Sequence, residues 1–165
     1  MKKVLVAYYS KTGTTYKVCK IMVDKFQEKE IDVDLIELSS ISDLSRYDTV
    51  IMAAPINGMQ WVEPAKYFLE HYKEDLKEKR LVAVYVSYII RSGSKFWRNR
   101  IRQGFDKLVK PIEPIIIKDF GGVIEGGFPT VARWLFGIPK GTPLDLSDGQ
   151  EVEEFARELV DTLVE

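Results

Sequence analysis

One cysteine, Cys19, and one histidine, His71, are all the sequence holds of the two residue types that build most structural zinc sites. That excludes a disulfide framework and a cysteine–histidine metal centre. Long apolar runs are missing too. After Met1-Lys2-Lys3 only residues 4–9 are apolar before Ser10-Lys11, too short for a signal peptide or a membrane span. The expectation is a soluble, cytoplasmic protein with no transmembrane segment. Charge of one sign is not in excess: 24 Lys+Arg against 25 Asp+Glu leave −1, which gives no global reason for nucleic-acid binding. Neither G-x-x-x-x-G-K-[ST] nor a G-x-G-x-x-G after a strand occurs, which argues against nucleoside triphosphates and dinucleotides.

What is present is a chain of 165 residues, 45% hydrophobic and 30% charged, the composition and size of one globular domain spanning 1–165. Val4-Leu5-Val6-Ala7-Tyr8-Tyr9 is continuously apolar, and similar runs recur at residues 49–54, 81–86 and 115–117. Strands apolar on both faces imply cover on both sides, as in a parallel sheet. Residues 32–38 alternate instead, as an edge strand does. Helical stripes fill the gaps: Val18, Ile21, Met22 and Phe26; then Ala65, Phe68, Leu69, Tyr72 and Leu76 behind Pro64; then Trp97, Ile101, Phe105 and Leu108; and last Val152, Phe155, Ala156, Leu159, Val160, Leu163 and Val164. Ser147 and Gln150 have capping-box spacing ahead of the last stripe. Residues 38–48 read as a short helical turn or a loop.

The prediction is an α/β fold: a three-layer, doubly wound, five-stranded parallel sheet in flavodoxin-like order 2-1-3-4-5. An insertion is expected after or within the fifth strand. Residues 120–146 hold six of the 11 glycines, with Pro129, Pro139 and Pro143 around the apolar patch Val131-Ala132-Arg133-Trp134-Leu135-Phe136. So long a segment carries its own short helix or serves a function.

In an open sheet of this kind ligands sit beyond the carboxyl ends of the strands, near the point where winding reverses. The loop leaving the first strand there reads Ser10-Lys11-Thr12-Gly13-Thr14-Thr15 and runs straight into a helix. Its hydroxyls and backbone N–H groups can donate to a phosphate, the helix start adds partial positive charge, and the glycine permits a tight turn. The competing reading is a hydroxyl-rich helix cap. The acids that a phospho-acceptor receiver needs are absent, the strand ends being Tyr9-Ser10 and Ala53-Ala54-Pro55. Cys19 falls inside the first helix as a small buried residue and not in the phosphate loop, so a cysteine nucleophile is not available there. His71 lies off the apolar stripe of its helix, which makes it an exposed residue.

The hydroxyl-x-Thr-Gly-x-Thr pattern after an opening apolar strand resembles the phosphate loop of flavodoxins. The resemblance implies FMN as cofactor, its phosphate held by Ser10, Thr12, Gly13, Thr14 and Thr15 with Lys11 exposed. The next loops, Pro55-Ile56-Asn57-Gly58-Met59-Gln60-Trp61 and Ser87-Tyr88, would hold the ring. Trp61 or Met59 would cover one face, Tyr88 would stack, and Asn57-Gly58 would form a turn whose peptide can rotate. For Trp61 the competing role is a core residue. No side chain is nominated as catalytic, because the flavin would carry the chemistry.

Charge is unevenly placed. Residues 91–110 carry seven basic side chains and one acid, +6, whereas residues 145–165 carry eight acids and Arg157, −7. The basic segment is either a solvated helix face or a site for an anionic partner: a porphyrin with propionates, an acidic protein, or a membrane surface touched peripherally. The extended loop with Trp134-Leu135-Phe136 is similar to that of the menaquinone-dependent protoporphyrinogen dehydrogenase branch, although only Arg133 and Lys140 are basic within it before Gly141. Three functions follow as expectations: an FMN-binding protein passing electrons to or from a partner protein or quinone, a quinone-dependent protoporphyrinogen IX dehydrogenase-like flavoenzyme, and a non-redox binding module.

Overall fold

The sheet starts where the sequence is most apolar. The structure is a computed structural model that describes residues 3–57, 59–124, 129–138, 144–145 and 147–164. Its first strand, β1 (Val4–Tyr8), turns Val4 and Val6 to one face and Leu5 and Ala7 to the other, all four buried. β1 lies between β2 (Val33–Glu37) and β3 (Thr49–Asn57), parallel to both, with Val4 opposite Val33 on one side and Thr49 on the other. A short β4 (Gln60–Trp61) folds back antiparallel on β3, pairing Asn57 with Gln60 and Ile56 with Trp61. β5 (Arg80–Val86) then joins β3, and β6 (Ile116–Phe120) joins β5, both parallel. The path across the sheet is β2-β1-β3-β5-β6. With the β4 hairpin set aside, this is the predicted five-strand order. β2 is an edge strand and only half-buried, as its alternation implies.

The helices are α1 (Thr14–Glu28), α2 (Glu63–His71), α3 (Lys73–Lys77), α4 (Tyr88–Ser92), α5 (Lys95–Val109), α6 (Thr130–Phe136) and α7 (Gly149–Val164). α1 and α7 cover the Val4, Val6, Ile51 and Val82 face through Val18, Met22, Phe26, Phe155 and Leu159. α2, α3 and α5 cover the opposite face, setting Phe68, Leu76, Ile101 and Phe105 against Leu5, Val50, Met52 and Ala83. Each such fully buried side chain contributes about 1.5–3 kcal/mol. The single thiol of Cys19 sits in the α1 layer with no exposure.

Three local expectations change. α7 is capped by Asp148, whose carboxylate accepts the N–H groups of Gln150 at 3.0 Å and Glu151 at 3.3 Å. The Ser147 hydroxyl is turned to Asp145 instead, so the capping box does not form. β3 continues through Pro55, Ile56 and Asn57, because Pro55 still lies opposite Val86 of β5 and the β4 hairpin supplies partners for Ile56 and Asn57 where a loop was expected. The loop after β5 coils at once into α4, a helical turn that buries both Ile89 and Ile90.

Beyond β6 the chain carries the expected insertion. β7 (Val123–Ile124) pairs antiparallel with β8 (Leu144–Asp145), and α6 lies between them in sequence. α6 is fastened to the start of α5: the Trp97 indole donates to the Leu135 carbonyl at 2.7 Å, and the Ser94 N–H donates to the Phe136 carbonyl at 2.9 Å. Gly137 ends α6 at φ +69°, a left-handed cap that glycine takes without strain.

Candidate functional site

At the carboxyl ends of β1, β3 and β5 the sheet opens into a cavity of about 720 Å³. The loop after β1 forms one wall. Gly13 stands at φ +88° and ψ −12° immediately before α1, and the Ser10 hydroxyl accepts its N–H at 3.1 Å. The first intrahelical bond runs from the Lys17 N–H to the Gly13 carbonyl. The N–H groups of Thr14, Thr15 and Tyr16 therefore have no acceptor within the helix. The capping position is a glycine and the first turn holds no acid, so the positive end of α1 is not neutralised from within. Ser10, Thr12, Thr14 and Thr15 border the cavity and Thr15 is buried, so the loop offers hydroxyls beside these amides. Gly13 contributes through its backbone angle; a Cβ there would meet nothing within 4 Å, which places its role in conformation and not in close packing.

The second wall is the β3–β4 hairpin. Pro55, Ile56 and Asn57 border the cavity, Asn57 exposed at its lip. Gly58 lies outside the described residues. Met59, at φ +70°, is half-buried against the core and does not border the cavity. Trp61 does border it but is only 3% exposed: its indole N–H donates to the Ala54 carbonyl at 3.1 Å and its ring packs edge-on against Phe105 at 4.5 Å. The competing role for Trp61, a core residue, is the one its packing fits, with the ring edge left to the cavity.

The third wall is the start of α4. Ser87 is buried and Tyr88 half-buried, both on the cavity. Burial pushes the Tyr88 phenol above its ordinary value, so it presents a neutral ring. Several bordering residues lie outside the loops named from the sequence: Tyr9 just after β1, Glu63 and Lys66 at the start of α2, and Gly122 and Val123 beyond β6. Lys66 pairs with Glu63, and Lys11 is exposed at the rim as expected. Gly122 had a visible signal, the Gly121-Gly122 pair at the end of an apolar strand. A Cβ on it would lie 3.0 Å from the Tyr88 amide nitrogen and 3.4 Å from the Ser87 carbonyl carbon. Glycine is what lets the β6 loop press against the β5 loop.

Behind the cavity, charges are paired inward. Arg91 donates to Asp119 at 2.8 Å and to both carboxylate oxygens of Glu151 at 2.8 Å, while Arg102 reaches Asp119 at 3.2 Å and Lys118 reaches Glu151 at 3.2 Å. Part of the basic 91–110 segment is thus neutralised within the molecule. His71 is exposed and stacks on Tyr67. Among the described residues no cluster of His, Cys, Asp and Glu is arranged to hold a metal ion.

The flavodoxin domain family model matches residues 5–126, from β1 to beyond β7. The chain belongs to the flavodoxin family. A curated flavodoxin from Maridesulfovibrio salexigens is 33% identical over 88 residues, which span 49% of this chain and 60% of that flavodoxin's length. Rubredoxin oxygen:oxidoreductase from the anaerobe Desulfovibrio gigas superposes with a TM-score of 0.65 at 14% identity, over 99% of this chain but 36% of that one. The Fusobacterium nucleatum flavodoxin bound to flavin mononucleotide superposes with a TM-score of 0.55 at 12% identity, covering 98% of this chain and 99% of that one. Likeness at such identity is likeness of fold. The cofactor of the flavodoxin family is FMN. No helix among the described residues is long and apolar enough to cross a membrane.

Proposed function

We propose that this flavodoxin-family chain holds FMN in the cavity at the carboxyl ends of β1, β3 and β5 and passes electrons to or from a redox partner. The observation that carries this reading is the start of α1: amides without helical acceptors, beside four hydroxyls, at the positive end of a helix. Ser10, Thr12, Gly13, Thr14 and Thr15 fit a phosphomonoester, the one anionic group of FMN. Pro55, Ile56 and Asn57 follow the edge of the ring on one side, with Trp61 backing them from the core; Gly58 is assigned to the same loop from the sequence alone. Ser87 and Tyr88 face it from the other, Tyr88 offering its ring face for stacking. FMN, when bound, supplies the electron transfer; the protein binds it, orients it and keeps water from much of its surface. The compartment that suits this role is the cytoplasm.

The test is reconstitution. Purified protein mixed with FMN should develop perturbed flavin absorption bands and quench flavin fluorescence at micromolar cofactor. Unchanged spectra would leave a non-redox binding module. A quinone-dependent dehydrogenase acting on a porphyrinogen is the second reading, favoured by one feature, the insertion that carries α6 beyond β6. Porphyrinogen oxidation with a quinone acceptor would select it. Its absence, alongside turnover with a flavoprotein reductase, would select the carrier.

A further inference from the structure

α6 inverts the usual arrangement of an amphipathic helix. Its stripe Val131, Trp134 and Leu135, at i, i+3 and i+4, is spaced to enter a core, yet these side chains are 76%, 83% and 51% exposed. The helix is anchored by its other side, through Phe136 edge-on to Trp97 at 5.2 Å and the two hydrogen bonds to the start of α5. Phe96, 65% exposed, extends the stripe across to α5, its ring 5.0 Å from that of Trp97. Together these four residues expose several hundred Å² of apolar side chain, the size at which an exposed patch is often functional.

The charge around this ridge has one sign. From Ser87 to Phe105 the sequence contains Arg91, Lys95, Arg98, Arg100 and Arg102 and no acid, and α6 contains Arg133 and no acid. Arg91 and Arg102 are committed to Asp119 and Glu151, but Lys95 and Arg100 are exposed beside Phe96 on α5. The ridge is made of side chains more than half exposed. A second copy docking by the same face would bring Lys95 and Arg100 against their own kind, and a folded acidic surface, another copy's 145–165 segment included, would need pockets shaped to receive Trp134 and Val131. A fluid surface with anionic headgroups needs neither. Tryptophan, phenylalanine and leucine beside lysine and arginine are the residues that settle at such an interface.

We propose that the ridge of Phe96, Val131, Trp134 and Leu135, flanked by Lys95 and Arg100, docks this protein onto an anionic lipid bilayer. α5 starts at the carboxyl end of β5, so the ridge lies at the end of the sheet where the cavity opens. Docking there sets the cavity mouth toward the membrane and favours an electron partner dissolved in lipid. The docking itself does not depend on what fills the cavity.

Flotation with phosphatidylcholine vesicles, with and without phosphatidylglycerol, tests it. The full chain should float with anionic vesicles and far less with neutral ones, and high salt should release it. Lys95→Gln and Arg100→Gln should each lower the bound fraction about fivefold. Trp134→Ser should lower it roughly tenfold. Circular dichroism and FMN titration of the same variants should be unchanged, which separates loss of docking from loss of fold or cofactor. Absence of binding to anionic vesicles overturns the proposal. So does equal binding to both vesicle types, or a concentration-dependent dimer in sedimentation that Trp134→Ser abolishes.

Discussion

A Cβ on Gly122 would stand 3.0 Å from the backbone nitrogen of Tyr88, so two loops from different strands meet there with no room between them. The contact sets where the start of α4 stands relative to the cavity. Gly122→Ala should push that segment by a few tenths of an ångström. The cost expected is about 1 kcal/mol of stability and, by displacing Tyr88, roughly tenfold in FMN affinity. Fluorescence titration beside chemical denaturation measures both. An affinity loss much larger than the stability loss marks Tyr88 as a ring contact.

Gly13 has space for a side chain but the wrong backbone angle for one. Gly13→Val should therefore act through conformational strain of about 1–2 kcal/mol and a tilted amide cluster, without a steric clash. FMN binding should fall steeply while riboflavin, which lacks the phosphate, binds as before. Equal losses for both would detach the α1 start from phosphate recognition. Ser10→Ala removes the acceptor of the Gly13 N–H and should give the milder version, about 0.5–1.5 kcal/mol.

Arg91 is the common partner of Asp119 on β6 and Glu151 on α7, each side chain between 20% and 29% exposed. Arg91→Gln would leave two carboxylates near each other with Lys118 and Arg102 as their remaining cations. Partial solvation limits the expected loss to about 1–2 kcal/mol, read as a lower urea midpoint. Reversing the order of effects, with Asp119→Asn costing more than Arg91→Gln, would show that the arginine is not the centre of the network.

Asp34 gives the molecule an acid-sensitive joint. Burial alone would raise its pKa, but the Tyr47 hydroxyl at 2.6 Å, Lys3 at 3.2 Å and Arg46 at 3.4 Å together hold it below the ordinary 3.8. A folded value below the unfolded one adds stability that is complete above about pH 4 and is lost as pH falls through the folded value. Tyr47→Phe should remove about 1 kcal/mol at neutral pH and flatten this acid limb of the stability curve. A limb as steep as in the parent would place the acid sensitivity on other carboxylates.

The strand order, and the placing of a hydroxyl-rich turn directly before the first helix, were legible because each rests on local signals. Buried strands have to be apolar on both faces, and a hydroxyl-rich turn against a helix start suits either an anion or a helix cap. Trp61 was ambiguous for a physical reason: an indole serves equally to cover a ring or fill a core, and only its hydrogen bond to Ala54 and its contact with Phe105 decide. The Asp148 cap was missed by one residue, since Ser147 and Asp148 both suit the position and the choice turns on where Asp145 stands. Lys66 was invisible because its place on the cavity is created by tertiary contacts, whereas the Gly121-Gly122 pair marks a close approach without saying to what. The stripe on α6 misleads periodicity in the opposite sense, having core spacing and a solvent-facing position.

The lone sulfhydryl deserves a last consequence. Cys19 is sealed beneath α1 and burial pushes its pKa up, so at neutral pH it stays protonated and out of reach of oxidants. No thiolate is presented there for an oxidant or an electrophile to attack. Air, peroxide or alkylating reagents should leave the native chain unmodified at that position until it unfolds, which makes the rate of thiol labelling a direct clock for opening of the α1 layer.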